Sequence, residues 1–111
     1  AYSGNSKGQI SVVTVTSQTA SLDASTSDYF KFDLVSGSDT HVVVTNASPA
    51  QTFVLKTNQP STGTGTISFS GVKFSLGAQP IATANSDAQD IYTFVAFDTN
   101  DISCTQVPDL Q

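Results

Sequence analysis

The chain has 111 residues, one small domain by size, with nine Asp against four Lys, no Glu, no Arg and a formal net charge of −5. That balance argues against nucleic-acid binding, which needs a basic face to replace the counterions on phosphates. The lack of Arg also removes bidentate recognition of phosphate or carboxylate.

Helix formers are scarce, since Met is missing along with Glu and Arg. Val, Ile, Thr, Phe and Tyr are plentiful, which points to an all-β domain. Residues 1–9 (AYSGNSKGQ) lack periodicity and read as an extended arm, with Tyr2 as its one large apolar group. ISVVTVT at 10–16 is the first strand, with a break at Val12–Val13 that suggests a bulge. TASLDAS at 19–25 is weaker and has Leu22 as its only sizeable apolar side chain.

YFKFDLV at 29–35 alternates cleanly, with Phe30, Phe32 and Leu34 on one face. It reads as a half-buried antiparallel strand, with HVVVT at 41–45 as its hairpin partner across the Ser36–Asp39 turn. A turn with Pro49 leads to QTFVLKT at 51–57, where Phe53 and Leu55 point inward and Lys56 outward. The Gly-containing loop at 58–65 precedes TISFS and VKFSL, a strand, bend, strand unit around Gly71. A long loop at 77–89 follows, which Pro80 and Ile81 are expected to pack down.

DIYTFVAFD at 90–98 is the most apolar strand. Ile91, Thr93, Val95 and Phe97 share one face, and Tyr92, Phe94 and Ala96 the other. Apolar groups on both faces predict a central strand or one covered on both sides. The Asp98–Asp101 turn leads to ISCTQ, which Pro108 is expected to end. The sum is an antiparallel β-sandwich or jelly-roll-like barrel of about eight short strands. The domain plan is an arm at 1–9, one β domain at 10–106 and a tail at 107–111. There is no internal repeat.

Chemistry-bearing residues are few. Cys104 is the single cysteine, so no intramolecular disulfide forms, and it reads as a small apolar strand residue. His41 is the one imidazole, with Asp39 two places away across a turn. A triad also needs a nucleophile and an orienting acid at short range, so His41 reads as a strand-end surface residue. Asp87 with Asp90, and the Asp98–Asn100–Asp101 turn, come nearest to a Ca²⁺ loop. Such a loop needs several oxygens at fixed offsets and usually a Glu, so turn chemistry explains these residues instead. Gly63, Gly65 and Gly71 lack the Lys-Ser/Thr ending of a phosphate loop. Asn46-Ala47-Ser48 matches a glycosylation sequon, but Pro49 follows and no secretory signal is visible. No catalytic, cofactor-binding or metal residue is assigned, and no cofactor or enzyme activity is expected. With Ala first, the expectation is cytoplasmic synthesis with the initiator Met removed, or a processed fragment, and no membrane or nucleic-acid partner.

The order QTFVL, Gly/Thr turn, TISFSGVKF, Pro-containing loop and DIYTFVAFD resembles a β-module found in bacteriophage tail-fibre and other virion proteins. The resemblance covers roughly residues 19–100, with SLDASTSDYFKFDLVSGSDTHVVVTNAS similar to the module's entry. Phe69 and Phe74 stand where the module often has Trp, and the aromatic-Gly finish is missing. The resemblance implies a non-enzymatic virion structural protein. For a short chain without an attachment domain, it implies a capsid decoration (cement) protein, a homotrimer bound to the major capsid protein or other virion proteins. The alternative it implies is a tail-fibre or knob module recognising host polysaccharide or protein, and a sugar-binding β-sandwich is a more distant reading. Partner contacts are expected from the arm at 1–9, the turn at 58–65 and the loop at 77–89.

Overall fold

The computed structural model describes residues 10–110; the expected arm at 1–9 lies outside the described residues. The described chain is all β, with nine strands in two sheets and one short 3-10 turn at Ser75–Gly77. The strands are β1 (Ile10–Val12), β2 (Thr19–Asp23), β3 (Tyr29–Asp33), β4 (Asp39–Thr45) and β5 (Gln51–Asn58). They continue as β6 (Thr66–Ser70), β7 (Lys73–Phe74), β8 (Gln89–Asp98) and β9 (Asp101–Leu110). A six-stranded sheet runs β1-β3-β5-β8-β9-β7, and a three-stranded sheet runs β2-β4-β6.

The winding differs from the expected antiparallel sandwich or jelly-roll-like barrel. Each of β2 to β7 lies in the sheet opposite to the strand before it. Neighbours β1–β3, β3–β5, β2–β4 and β4–β6 are all parallel. The chain therefore coils around the core as a β-solenoid does, crossing between sheets instead of reversing within one. Only β5–β8 and β8–β9 are antiparallel, so the jelly-roll pattern does not form, and the sheets do not close into a barrel. β3 and β4 are not a hairpin, and β6 and β7 part into different sheets. The Asp98–Asp101 hairpin forms as expected.

Period-two alternation places the core. Phe30, Phe32, Phe53, Leu55, Tyr92, Phe94 and Cys104 point inward from the six-stranded sheet, and Ala20, Leu22, Val42, Ile67 and Phe69 from the other. Phe53 stacks on Phe94 at 4.9 Å, and Phe30 meets Phe53 edge-on at 6.4 Å. Phe69 is the bridge: its ring lies 5.2 Å from Tyr92 and 6.2 Å from Phe94 across the interior. Burying an aromatic of this size contributes roughly 1.5–3 kcal/mol. Along 10–16, β1 ends at Val12; Ile10 and Val12 are exposed, while Val13 and Val15 pack on the core.

Buried polar side chains tie the loops down. Gln59 donates through Nε2 to Gly65 O and Thr83 O, both at 2.9 Å, and accepts from Gly65 N at 2.8 Å. Gly65 must be glycine, because a Cβ there would come within 2.4 Å of the Val35 carbonyl oxygen. The Asp90 carboxylate accepts from Thr83 N and Thr83 Oγ1 at 2.7 Å each and from Asp109 N at 2.8 Å. These bonds, with buried Ala82 and Ala88, dock the long loop, whereas Ile81 is 80% exposed and does not.

The late strand edges are blunted. The Gln79 side-chain amide takes the place of a strand neighbour at β6, accepting from Phe69 N at 3.2 Å and donating to Phe69 O at 3.4 Å. β9 continues past Pro108 to Leu110, which corrects the expected stop. Pro108 is tolerated because a register shift falls there, with Asp109 at a φ of 54°. Proline in sheets belongs at such edge bulges.

Candidate functional site

The parallel winding brings His41, Asp39 and Ser68 together on the outer face of the three-stranded sheet. The β4–β6 register sets His41 beside Ser68 and Asp39 beside Thr66. Ser68 Oγ donates to Asp39 Oδ2 at 2.8 Å, and Thr66 Oγ1 donates to Asp39 Oδ1 at 2.8 Å. The serine's single proton is thereby committed to the carboxylate. His41 Nδ1, 2.8 Å from Ser68 Oγ, then carries the ring proton and donates it. A serine nucleophile requires the reverse, an imidazole that accepts the hydroxyl proton. As arranged, the three side chains form a polar ladder that cross-links β4 to β6. Only Asp39 and His41 were singled out in the sequence; Ser68, 27 residues beyond His41, is visible only through the pairing.

The remaining sequence candidates are used locally. Asp90 is buried in the staple described above, and Asp87 sits at a φ of 62° with its N–H donating to Pro60 O. Asp98 accepts from Thr99 N within its turn, and Asp101 pairs with Lys73 at 3.1 Å. Among the described residues, no group of three or more His, Cys, Asp or Glu could hold a metal ion. Gly63 and Gly71 take positive φ in turns. Asn46 donates its side-chain amide to Asp23 Oδ1 at 3.1 Å. The Ser25 hydroxyl, then this amide and the Ser25 N–H, hold the Asp23 carboxyl below its usual value.

Two buried groups resist ionisation. Burial pushes the Cys104 thiol up to about 12. Burial first, and the Asp90 charge second, push the Tyr92 phenol up as well. The Tyr92 hydroxyl is inside the core without a hydrogen-bond partner; Thr57 and Gln106 lie close enough to oppose the shift in part, but neither meets hydrogen-bond geometry.

The largest feature is a surface. On the outer face of the six-stranded sheet, two adjacent cross-strand rows run over β1, β3, β5, β8 and β9. One is Ile10, Tyr29, Val54, Thr93 and Thr105; the next is Val12, Lys31, Lys56, Ile91 and Val107. At about 4.8 Å between strands, each row spans about 19 Å. Ile10, Val12, Tyr29 and Val107 are between 50% and 69% exposed, and Phe97 on the same side of β8 is 73% exposed. A hollow of about 210 Å³ opens between the rows at Tyr29, Lys31, Val54, Lys56 and Ile91. Lys56 was expected to point outward, but Val107 was expected in a tail, and the assembly of these side chains into one patch depends on parallel pairing that turn signals do not encode. In the turn at 58–65, Gln59 and Gly65 face inward, while Ser61, Thr62 and Gly63 are exposed. Compared with family models, curated proteins and solved structures, the chain matches none.

Proposed function

We propose that this chain is a structural protein of a bacteriophage particle, a capsid decoration protein that binds the outer capsid surface and stabilises it. Its sandwich-like pair of sheets serves as a rigid scaffold, and it acts without catalysis, as a homotrimer on the virion. The observation that carries the reading is the outer face of the six-stranded sheet. Ile10, Val12, Tyr29 and Val107 stand exposed in two registered rows there, with half-buried Val54 and Ile91 between them. Contiguous exposed apolar surface of this kind marks interaction sites. The opposite face is a ladder of hydroxyl, imidazole and carboxylate groups bonded to one another, suited to facing water. The resemblance of residues 19–100 to virion β-modules supplies the setting. Binding through the apolar face would stabilise chain and capsid together, since a partner that binds only the folded state adds stability by mass action.

Quantitative mass spectrometry of purified particles tests this. A decoration protein stands at a copy number comparable to the coat protein. A few copies per particle, localised at the tail, would instead mark a fibre or knob module that recognises the host. Absence from particles would sink the virion reading.

A further inference from the structure

Cations are scarce in this chain, and their placement on the apolar face is informative. Of the described lysines, Lys73 pairs with Asp101 at 3.1 Å. The other two, Lys31 and Lys56, stand directly opposite each other on β3 and β5. Like charges in that position destabilise a sheet. Among the described residues neither lysine has a carboxylate within ion-pair distance. Asp33 follows Lys31 two places along β3, but its carboxylate accepts the Asn58 amide at 3.0 Å. The two ammonium groups therefore sit unneutralised in a row whose other members are Val12, Ile91 and Val107. Their alkyl stems extend the apolar surface, and their heads remain at its centre.

We infer that this face docks onto a protein surface that is apolar at its middle and carries carboxylates opposite Lys31 and Lys56. The inference rests on reading the face as a docking surface, but not on the partner being a coat protein. Charge complementarity selects the occupant. In a chain of net charge −5, the Lys31–Lys56 pair is, among the described residues, the cationic centre that welcomes an acidic surface. A second copy meeting the same face about a two-fold axis would bring four ammonium groups together, so the contact is heterologous. The partner's carboxylates would relieve the Lys31–Lys56 repulsion, and the apolar rows would supply most of the buried area. The lysines thus set specificity and on-rate more than gross affinity.

The test is a titration of the isotope-labelled full chain with a random copolymer of glutamate and tyrosine, followed by amide NMR shifts. Sodium alginate, a carboxylated polysaccharide, is titrated in parallel. The expected result is copolymer binding that shifts the amides of Lys31, Lys56, Ile91 and Val107 and weakens with added salt. In the K31E/K56E variant, binding should fall roughly tenfold, as expected for two exposed ion pairs turned repulsive. K31Q/K56Q, which tests charge without adding repulsion, should lose less. Unchanged spectra outside the face in either variant establish that it folds. Copolymer shifts elsewhere, no copolymer binding, or alginate binding at these residues without copolymer binding would each overturn the inference. So would sedimentation showing a two-fold dimer through this face. A chain absent from particles that still docks the copolymer here would remove the virion reading and leave this one standing.

Discussion

Replacing Asp90 with Ala removes the anchor that holds the long loop and the end of β9 to the sheet. The carboxylate is 1% exposed and accepts from Thr83 N, Thr83 Oγ1 and Asp109 N. Leaving a buried donor without its acceptor costs about 1–3 kcal/mol. Thr83 Oγ1 can rotate to another partner, but the two backbone N–H groups cannot. Thr83 is half-buried and Asp109 exposed, so water takes up part of this demand, and the expected loss is about 2 kcal/mol, a sizeable share of the 5–15 kcal/mol typical of a domain. Urea unfolding should show this as a lower midpoint with an unchanged slope. Hydrogen exchange supplies the local readout: the Thr83 and Asp109 amides should lose protection by roughly thirtyfold, while amides in β5 keep theirs relative to the new global stability. Asp90→Asn keeps one acceptor oxygen and should fall between the two. A loss below about 1 kcal/mol in Asp90→Ala, or intact protection at Thr83 and Asp109, would refute the staple.

Alkaline stability follows from the two resistant groups. The folded pKa of Cys104 is raised from 9.0 to about 12, and that of Tyr92 is raised too, so their contribution is present below the unfolded values and is lost as pH rises through the folded ones. Cys104 alone accounts for a loss on the order of 4 kcal/mol by the top of that range; a flat stability profile from pH 9 to 12, measured by denaturant titration at each pH, would contradict it. Tyr92→Phe removes a buried hydroxyl without a partner, so stability should be unchanged or rise by up to about 1 kcal/mol, and a loss above about 2 kcal/mol would reveal a hydrogen bond that the geometry does not show. Gly65→Ala forces a Cβ against the Val35 carbonyl and should cost about 1–3 kcal/mol by thermal melting; a neutral result would mean that the turn at 58–65 yields.

The faces of the strands were legible and their partners were not. Alternation alone put Phe30, Phe32 and Leu34 inward, along with Phe53 and Leu55, because a strand has one inner face whatever it pairs with. Pairing was misread at Ser36–Asp39. A Ser/Gly/Asp turn encodes a change of direction, but not which sheet receives the chain. The coil left no repeat to detect because its length drifts: 19 residues from Ile10 to Tyr29, 22 from Thr19 to His41, 25 from Tyr29 to Val54 and 27 from Asp39 to Thr66. A solenoid signature needs a fixed period. The Lys31–Lys56 apposition and the Ser68 link to His41 lay hidden for the same reason. One signal of the proposed docking face was present. The apolar groups on both faces of DIYTFVAFD predicted a strand central in its sheet or covered on both sides. β8 is central between β5 and β9, and Phe69 covers its inner face, while Ile91, Val95 and Phe97 meet no second layer among the described residues. Such a layer is what a partner would supply.

The most direct measurement is a cryo-electron-microscopy reconstruction of the intact particles proposed to carry this chain. The account predicts density on the outer capsid, with the rows from Ile10 to Thr105 and from Val12 to Val107 pressed against a neighbouring protein and acidic side chains over Lys31 and Lys56. Density in which that face looks into solvent, while the Asp39–His41–Ser68 ladder makes the contact, would contradict it.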